Sequence, residues 1–96
     1  MIYEWDQKKA AENEGKHGQS FEEAAEVFLD PLALTFDDPD HSGDERRFIT
    51  IGVTTKQRVV FVSHADGNDD RIRIISARET TRRERYDYEE RSRKDH

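Results

Sequence analysis

The amino-acid sequence predicts an α+β fold in which helices cover one face of an antiparallel sheet of three to four strands. Two segments near the start, 6–14 and 20–29, place apolar residues at helical spacing. Between residues 33 and 77 the apolar residues instead alternate with a period of two, which is typical of half-buried strands. A further helical segment follows at 78–90, so the predicted order is two helices, a sheet and a C-terminal helix.

Capping residues define the two N-terminal helices. Asp6 is placed to accept hydrogen bonds from the first turn, and Gly15 is expected to end that helix in a left-handed conformation. The second helix begins with a capping box formed by Ser20 and Glu23. It ends at Asp30, because the residue before a proline disfavours helical geometry.

Turn-forming clusters divide the central region into predicted strands at 33–37, 46–54, 58–64 and 71–77. In the last strand Ile72 and Ile74 point to one face, whereas Arg71 and Arg73 point to the other. We expect the isoleucine face to be covered by helices and the arginine side to stay open. The predicted buried residues are Ile49, Ile51, Val60, Val62, Ile72, Ile74, Phe21 and Phe28. The last helix is predicted to start with a capping box, Ser76-x-x-Glu79.

Composition excludes several classes of protein. The chain has 96 residues, enough for one domain, which we assign to 1–90 with 91–96 as a frayed tail. Only 32% of residues are apolar and 40% are charged, so the core is thin and a partner is expected to add stability. The absence of cysteine excludes disulfides and cysteine-ligated zinc. With neither a membrane-spanning apolar segment nor a signal-peptide pattern, we expect a cytoplasmic protein without membrane contact.

The charges are sorted along the chain. Residues 1–45 contain three Lys or Arg and thirteen Asp or Glu, a net charge of −10. Residues 46–96 contain thirteen and nine, a net charge of +4, and the two halves sum to −6. A cationic half in an acidic protein indicates an anionic ligand, most simply a phosphate backbone.

Arginines near the C-terminus are the strongest functional signal. On the predicted helix Arg78, Arg82 and Arg85 form one stripe, and each planar guanidinium can bond two phosphate oxygens. The alternatives are a solvated helix face that pairs with neighbouring carboxylates, or a contact with an acidic protein partner. Additional phosphate-binding residues are predicted at Lys16, Arg46, Arg71, Arg73 and Arg83.

Acid–base and aromatic candidates are fewer. His17 is the candidate general acid or base, since imidazole titrates closest to neutral pH, although it could instead cap the first helix. Tyr86 could stack on a base or dock a polar helix, and for Tyr88 docking is the better prediction. His41 lies among aspartates, but Asp is an ordinary turn former and the spacing does not match a calcium loop. We therefore predict neither a metal nor a cofactor.

A series of short motifs, in order and over nearly the whole chain, resembles the BrnT family of toxins. The motifs are Trp5-Asp-x-x-Lys-Ala-x-x-Asn13, Lys16-His-Gly-x-Ser-Phe-Glu-Glu-Ala24, Val27-Phe-x-Asp-Pro31, His41-Ser-x-x-Glu-Arg46, Ile51-Gly52, Arg73-Ile-Ile-Ser-Ala-Arg78 and Glu84-Arg-x-x-Tyr88. The family's Arg-x-Tyr ending stands here as Arg85-Tyr86-Asp-Tyr88, which leaves the assignment of its tyrosine open.

The resemblance implies a ribonuclease toxin of a type II toxin–antitoxin system with a RelE-like fold. It implies catalytic roles among His17, Arg78, Arg82, Arg85 and Tyr86. The implied partners are RNA and an antitoxin with a ribbon-helix-helix DNA-binding part, so that DNA is contacted only through the antitoxin. An antitoxin dimer would allow a higher-order complex. The competing hypothesis is a non-catalytic interaction module or corepressor that only binds a DNA-binding partner.

Overall fold

The computed structural model describes residues 1–39, 46–67 and 69–94, and it shows one five-stranded sheet with helices on both faces. The elements are β1 (Ile2–Glu4), α1 (Gln7–His17), α2 (Phe21–Ala24), a 3₁₀ helix (Ala25–Leu29), β2 (Leu34–Asp37), β3 (Arg47–Val53), β4 (Val59–Asp66), β5 (Arg71–Glu79) and α3 (Arg82–Lys94). The strand order is β1-β5-β4-β3-β2. The α+β prediction is confirmed, and each predicted strand is present.

The prediction of a purely antiparallel sheet of three to four strands is wrong, because β1 adds a fifth strand. It pairs in parallel with β5, with Ile2 opposite Arg71 and Glu4 opposite Arg73, so the sheet is mixed. A strand of three residues is too short to display a period of two. Its partner is also distant along the chain, so no hairpin signal marks the pairing.

The N-caps of the first two helices were predicted correctly, whereas the end of the first helix was not. Asp6 accepts a hydrogen bond from the Lys9 amide at 3.0 Å, and Ser20 Oγ accepts one from the Glu23 amide at 3.1 Å, as expected for N-caps. Gly15 does not end α1. The left-handed residue is Gly18 (φ 65°), whose amide donates to the Glu14 carbonyl at 2.8 Å. Helix α1 therefore includes His17 in its last turn, beyond the predicted boundary.

One face of the sheet packs against α1, α2 and the 3₁₀ helix. Their apolar side chains and the inward residues of β4 and β5 form its core, which comprises Phe21, Ala24, Val27, Val60, Val62, Ile72, Ile74 and Ala77. Phe28 was predicted to be buried, but it packs at the margin of this core and is only partly buried. The register prediction is confirmed, since Ile72 and Ile74 are buried and Arg71 and Arg73 are exposed.

The predicted start of the last helix is wrong, because Ser76 and Glu79 both belong to β5. The capping box lies five residues later, where the Thr81 amide donates to Glu84 Oε1 at 2.8 Å and the Glu84 amide to Thr81 Oγ1 at 3.2 Å. The two sequences have the same Ser/Thr-x-x-Glu pattern. Pairing with β4 keeps the first of them in the sheet.

Helix α3 covers part of the second face of the sheet. Tyr88 packs on Ile49, Ile51 and Val59, and it is the one buried side chain among residues 82–93 of this helix. Its hydroxyl donates to Asp30 Oδ2, which also accepts the Val53 amide at 2.9 Å. Burial and the Asp30 carboxylate raise the pKa of Tyr88 to about 12, so the hydroxyl keeps its proton. Docking, rather than base stacking, is the role that the structure gives to Tyr88.

A chain of polar side chains runs across the sheet from buried His64 through buried Thr50 to exposed Thr35. His64 is 4% exposed, and its Nε2 lies 2.8 Å from Thr50 Oγ1, which in turn lies 2.8 Å from Thr35 Oγ1. Phe28 meets the imidazole edge-on and Phe48 stacks on it. Burial lowers the pKa of His64, and the Asp66 carboxylate opposes that shift. The sequence alone did not single out this histidine.

Replacing Tyr88 with phenylalanine removes the hydroxyl that donates to Asp30 and leaves the ring in place. We expect Tyr88→Phe to lower the free energy of unfolding by about 1.5–3 kcal/mol, the usual effect of losing a hydrogen bond to a charged group. Tyr86→Phe is the matched control. Tyr86 is 59% exposed, so its hydroxyl should contribute less than about 0.5 kcal/mol. Chemical denaturation measures both, and equal losses would contradict the anchoring role of Tyr88.

Acid should destabilise the protein through His64. Its pKa in the folded chain is lowered, whereas an unfolded histidine titrates near about 6.5. Below about pH 6.5 the unfolded chain therefore binds more protons, and the free energy of unfolding falls as the pH drops. His64→Gln keeps a polar partner for Thr50 but does not titrate there, so its thermal melts should depend less on pH in this range. Identical pH profiles for the two proteins would disprove this account.

Candidate functional site

Four arginines lie on the face of the sheet that α3 partly covers, and we call them the arginine face: Arg47, Arg71, Arg73 and Arg78. Arg47 and Arg73 sit on either side of Ala65, because both pair with that residue in the sheet. Ile75 has no partner in β4 and forms a bulge. The bulge puts Arg78, which pairs with Phe61, on the same face as Arg73.

Within the arginine face, the Arg78 guanidinium contacts both an aromatic ring and a carboxylate. Its guanidinium carbon lies 4.1 Å from the centre of the Phe61 ring. Both terminal nitrogens donate to the Glu84 carboxylate, at 2.8 and 3.0 Å. The hydrogen bond from Arg78 lowers the pKa of Glu84, and in return the carboxylate raises the pKa of Arg78. A carboxylate thus occupies the planar fork that would bind two oxygens of a phosphate.

The predicted phosphate-binding residues near the start of β5 and β3 are spread along the sheet. Arg71 pairs with Glu4 at 3.2 Å. Arg73 is exposed and lines a pocket of about 400 Å³ together with Arg47 and Lys9. Arg46 pairs with Asp37 at 3.2 Å and lies over the Phe48 ring, away from β5 in the strand order. Arg73 thus joins the arginine face as predicted, and Arg46 does not.

The predicted helical stripe of Arg78, Arg82 and Arg85 is wrong as a geometry, because Arg78 belongs to β5. On α3, Arg85 pairs with Glu89 at 2.8 Å, and Arg83 pairs with Asp87 at 3.4 Å. These i,i+4 pairs are exposed and contribute little, so a phosphate could replace the carboxylate in each. Arg82 and Tyr86 are exposed one turn apart on the same helix.

Helix α1 runs alongside the outer edge of β5. Asn13 donates to the Ala77 carbonyl at 2.8 Å and accepts from the Ala77 amide at 3.1 Å. One turn before Asn13, Lys9 of α1 lines the same pocket as Arg73. His17 lies one turn beyond Asn13, in the last turn of α1. Lys16 and His17 are both exposed.

Sequence reasoning missed Phe61 and Asn13, and it named Glu84 only as one of the carboxylates that could pair with the arginines. Glu84 occupies the Arg78 fork, Phe61 supports its guanidinium, and Asn13 fixes α1 against β5. The Thr81-x-x-Glu84 pattern could have indicated a capping role for Glu84. The hydrogen bond from Asn13 to the Ala77 carbonyl joins residues 64 positions apart, so no local sequence pattern indicates it.

Neither a metal cluster nor a membrane helix is found in residues 1–39, 46–67 and 69–94. No three His, Cys, Asp or Glu side chains in these ranges come together as metal ligands. The predicted acidic turn around His41 falls largely outside them, as does Glu45. No helix in the same ranges is long and apolar enough to cross a membrane.

The fold and the arginine face together define a small α+β protein with a cationic sheet surface, and the same fold occurs in a known toxin. The crystal structure of the Brucella abortus ribonuclease toxin, BrnT, matches with a TM-score of 0.66 and 24% sequence identity. The match covers 85% of this chain and 100% of that chain, which shows the shared fold. A search of the curated proteins found no match.

The family follows from the sequence. The model of the family described as ribonuclease toxin, BrnT, of type II toxin–antitoxin system matches residues 5–84. This match extends from Trp5 at the start of α1 to Glu84 at the start of α3, well over half of the chain. The chain therefore belongs to the BrnT family of ribonuclease toxins, and the family resemblance of its motifs is confirmed.

Replacing Glu84 with glutamine tests whether the Arg78 fork is available to phosphate. Glu84→Gln removes the competing charge, so we expect tighter binding of a single-stranded DNA oligonucleotide, by about three- to tenfold. One added phosphate contact should also steepen the log–log salt dependence by about 0.7. Glu12→Gln, an exposed position on α1, is the control for net charge. Weaker binding in Glu84→Gln would show that Glu84 positions Arg78 instead of competing for it.

Proposed function

We propose that this chain is an endoribonuclease toxin that cleaves RNA without a metal at the end of β5, and that an antitoxin inhibits it. The observation that carries the proposal is the geometry of Arg78. Its guanidinium lies on an aromatic ring and binds a carboxylate through two parallel hydrogen bonds. A fork held in this way is preorganised for a phosphoryl group, and preorganised charge is a large part of catalysis.

The reaction needs three functions. A base takes the proton of the ribose 2′-hydroxyl, whose oxygen then forms a bond to the adjacent phosphorus. The bond from phosphorus to the 5′-oxygen breaks, an acid protonates that oxygen, and a 2′,3′-cyclic phosphate remains. Cations stabilise the charge that accumulates on the non-bridging oxygens. Every atom and proton is accounted for without a metal ion or a cofactor.

We assign these functions to residues at the end of β5. Arg78 stabilises the phosphoryl oxygens once phosphate has displaced Glu84, and Arg82 and Arg85 at the start of α3 add charge. His17, in the last turn of the helix that Asn13 fixes against β5, takes the proton of the 2′-hydroxyl and, as the imidazolium, returns it to the 5′-oxygen. Tyr86, one turn after Arg82, offers an exposed ring on which a base can stack.

The rest of the arginine face is suited to the flanking RNA. About five residues separate Arg73 from Arg78 along β5, or roughly 16 Å at 3.3 Å per residue, a length that spans more than one nucleotide. Arg71, Arg73 and Arg47 would bind phosphates at one end of this track, and Lys16 and Arg83 at the other. Contacts of this kind add affinity that falls with salt and carries little sequence preference.

The partner side of the proposal follows from the family. A type II toxin has an antitoxin, and we propose one with a ribbon-helix-helix part that binds DNA as a dimer, so that this chain meets DNA only through it. A dimeric antitoxin would bring two toxin chains into one complex. The proposed cellular location is the cytoplasm, where both RNA and DNA are present.

The decisive experiment incubates the purified, antitoxin-free chain with RNA in excess EDTA. We expect cleavage, with 2′,3′-cyclic phosphate ends. Arg78→Lys should lower the cleavage rate by at least about a hundredfold, because a point charge cannot replace the bidentate fork. His17→Gln should lower it by about 10²–10⁴-fold, the usual contribution of a general acid or base.

The control is Arg93→Ala, an exposed arginine near the end of α3 whose pair with Glu90 is 3.6 Å long. This variant should cleave RNA at the wild-type rate. Thermal melts of all variants separate lost activity from lost folding. If the folded wild-type chain leaves RNA intact, the non-catalytic interaction module becomes the better hypothesis.

A further inference from the structure

A groove of about 1050 Å³ runs between α3 and the strands β2 and β3. Its floor is apolar and consists of Leu34, Phe36, Ile49, Ile51 and Phe61. About two turns of α3 form its wall, with Glu84, Tyr86, Asp87, Tyr88, Glu90 and Arg91. Strand β2 is the last in the sheet, so among the described residues no further strand closes the groove on that side.

Two large aromatic side chains of this groove are exposed to solvent. Phe36 on β2 is 45% exposed and Tyr86 on α3 is 59% exposed, on opposite sides of the groove. Exposed apolar surface that forms a continuous patch usually marks a protein interface. Aromatic residues are also the ones that interfaces favour.

The rim of the groove is acidic. Asp38, Asp87 and Glu90 line it, whereas Arg91 is the one basic residue among the described residues that do so. Arg83 and Arg93, which pair with Asp87 and Glu90 at 3.4 and 3.6 Å, do not line the groove. Both pairs are exposed and weak, so the carboxylates can bind another cation.

We propose that this groove binds a segment of the antitoxin that carries apolar side chains flanked by lysine or arginine. The proposal rests on the proposed function, since it presumes an antitoxin. Apolar side chains would cover Phe36 and Tyr86, and the basic ones would pair with Asp87 and Glu90. The partner thus complements the acidic groove, not the arginine face.

The position of the groove suggests how the bound antitoxin segment inhibits RNA cleavage. Helix α3 forms one wall, and its first turn carries Glu84, the carboxylate that occupies the Arg78 fork. A segment bound between α3 and β2 would hold this helix against the sheet and keep Glu84 in place. The antitoxin can then prevent phosphate binding at Arg78 without covering that arginine, because a ligand stabilises the conformation that it binds.

The test uses the purified product of the reading frame adjacent to the one for this chain, titrated into wild type and variants. Glu90→Lys and Phe36→Thr should each raise the Kd at least about tenfold, and the salt dependence should become shallower in Glu90→Lys. The matched controls are Glu12→Lys on α1 and Leu29→Thr on the 3₁₀ helix, both exposed and outside the groove. They should bind like wild type. The partner-free RNA cleavage of all four variants should be unchanged.

The outcomes separate this proposal from the function on which it rests. If the wild type binds and the groove variants bind equally well, the groove is not the docking site, although the toxin assignment stands. If Glu90→Lys binds more tightly, the partner segment is acidic and the proposal is overturned. If the wild type cleaves RNA but does not bind the product at all, the antitoxin part fails and takes the groove proposal with it.

Discussion

The position of α3 depends on the hydrogen bond that the Asp30 carboxylate accepts from the Tyr88 hydroxyl. Asp30 ends the 3₁₀ helix, and its Oδ1 accepts the Leu32 amide at 2.9 Å, which fixes the turn. Its Oδ2 reaches the other way and accepts the Val53 amide and the Tyr88 hydroxyl. One side chain thereby joins the helical layer, the sheet and α3. The approach requires Gly52, because a Cβ there would lie 3.0 Å from the Val27 carbonyl oxygen and 3.3 Å from Asp30 Oδ2.

The fold was predictable from the sequence where a local hydrophobic period or a helix cap determines the structure. The alternation of Arg71, Ile72, Arg73 and Ile74 determined the face on which each side chain lies. A shift of the register by one residue would expose both isoleucines. The boundary between β5 and α3 was not predictable in this way. Two capping boxes follow each other in the sequence, and only the ladder with β4 decides which of them starts a helix. Strand β1 was missed for the same reason, since its pairing is entirely non-local.

For the candidate site, the sequence predicted residue types more reliably than their arrangement. The excess of arginine in the second half of the chain indicated an anionic ligand, which stays a prediction, and four of these arginines lie on one face of the sheet. The bulge at Ile75 and the pairing of Arg78 with Glu84 depend on tertiary structure, so neither could be derived from spacing. His17 was predicted to follow a short helix. The structure instead places it in the last turn of a longer α1, the helix that the Asn13 side chain fixes against β5.

Asn13 also matters for solubility. A sheet edge with unpaired amide and carbonyl groups is a template for association with other chains, and a protein with so thin a core exposes such edges readily on partial unfolding. The Asn13 amide occupies the backbone positions of Ala77 that a neighbouring strand would otherwise use. At the start of β5 the same edge is covered by β1. A second sheet therefore cannot pair with β5 at Ala77 unless the Asn13 side chain first moves away.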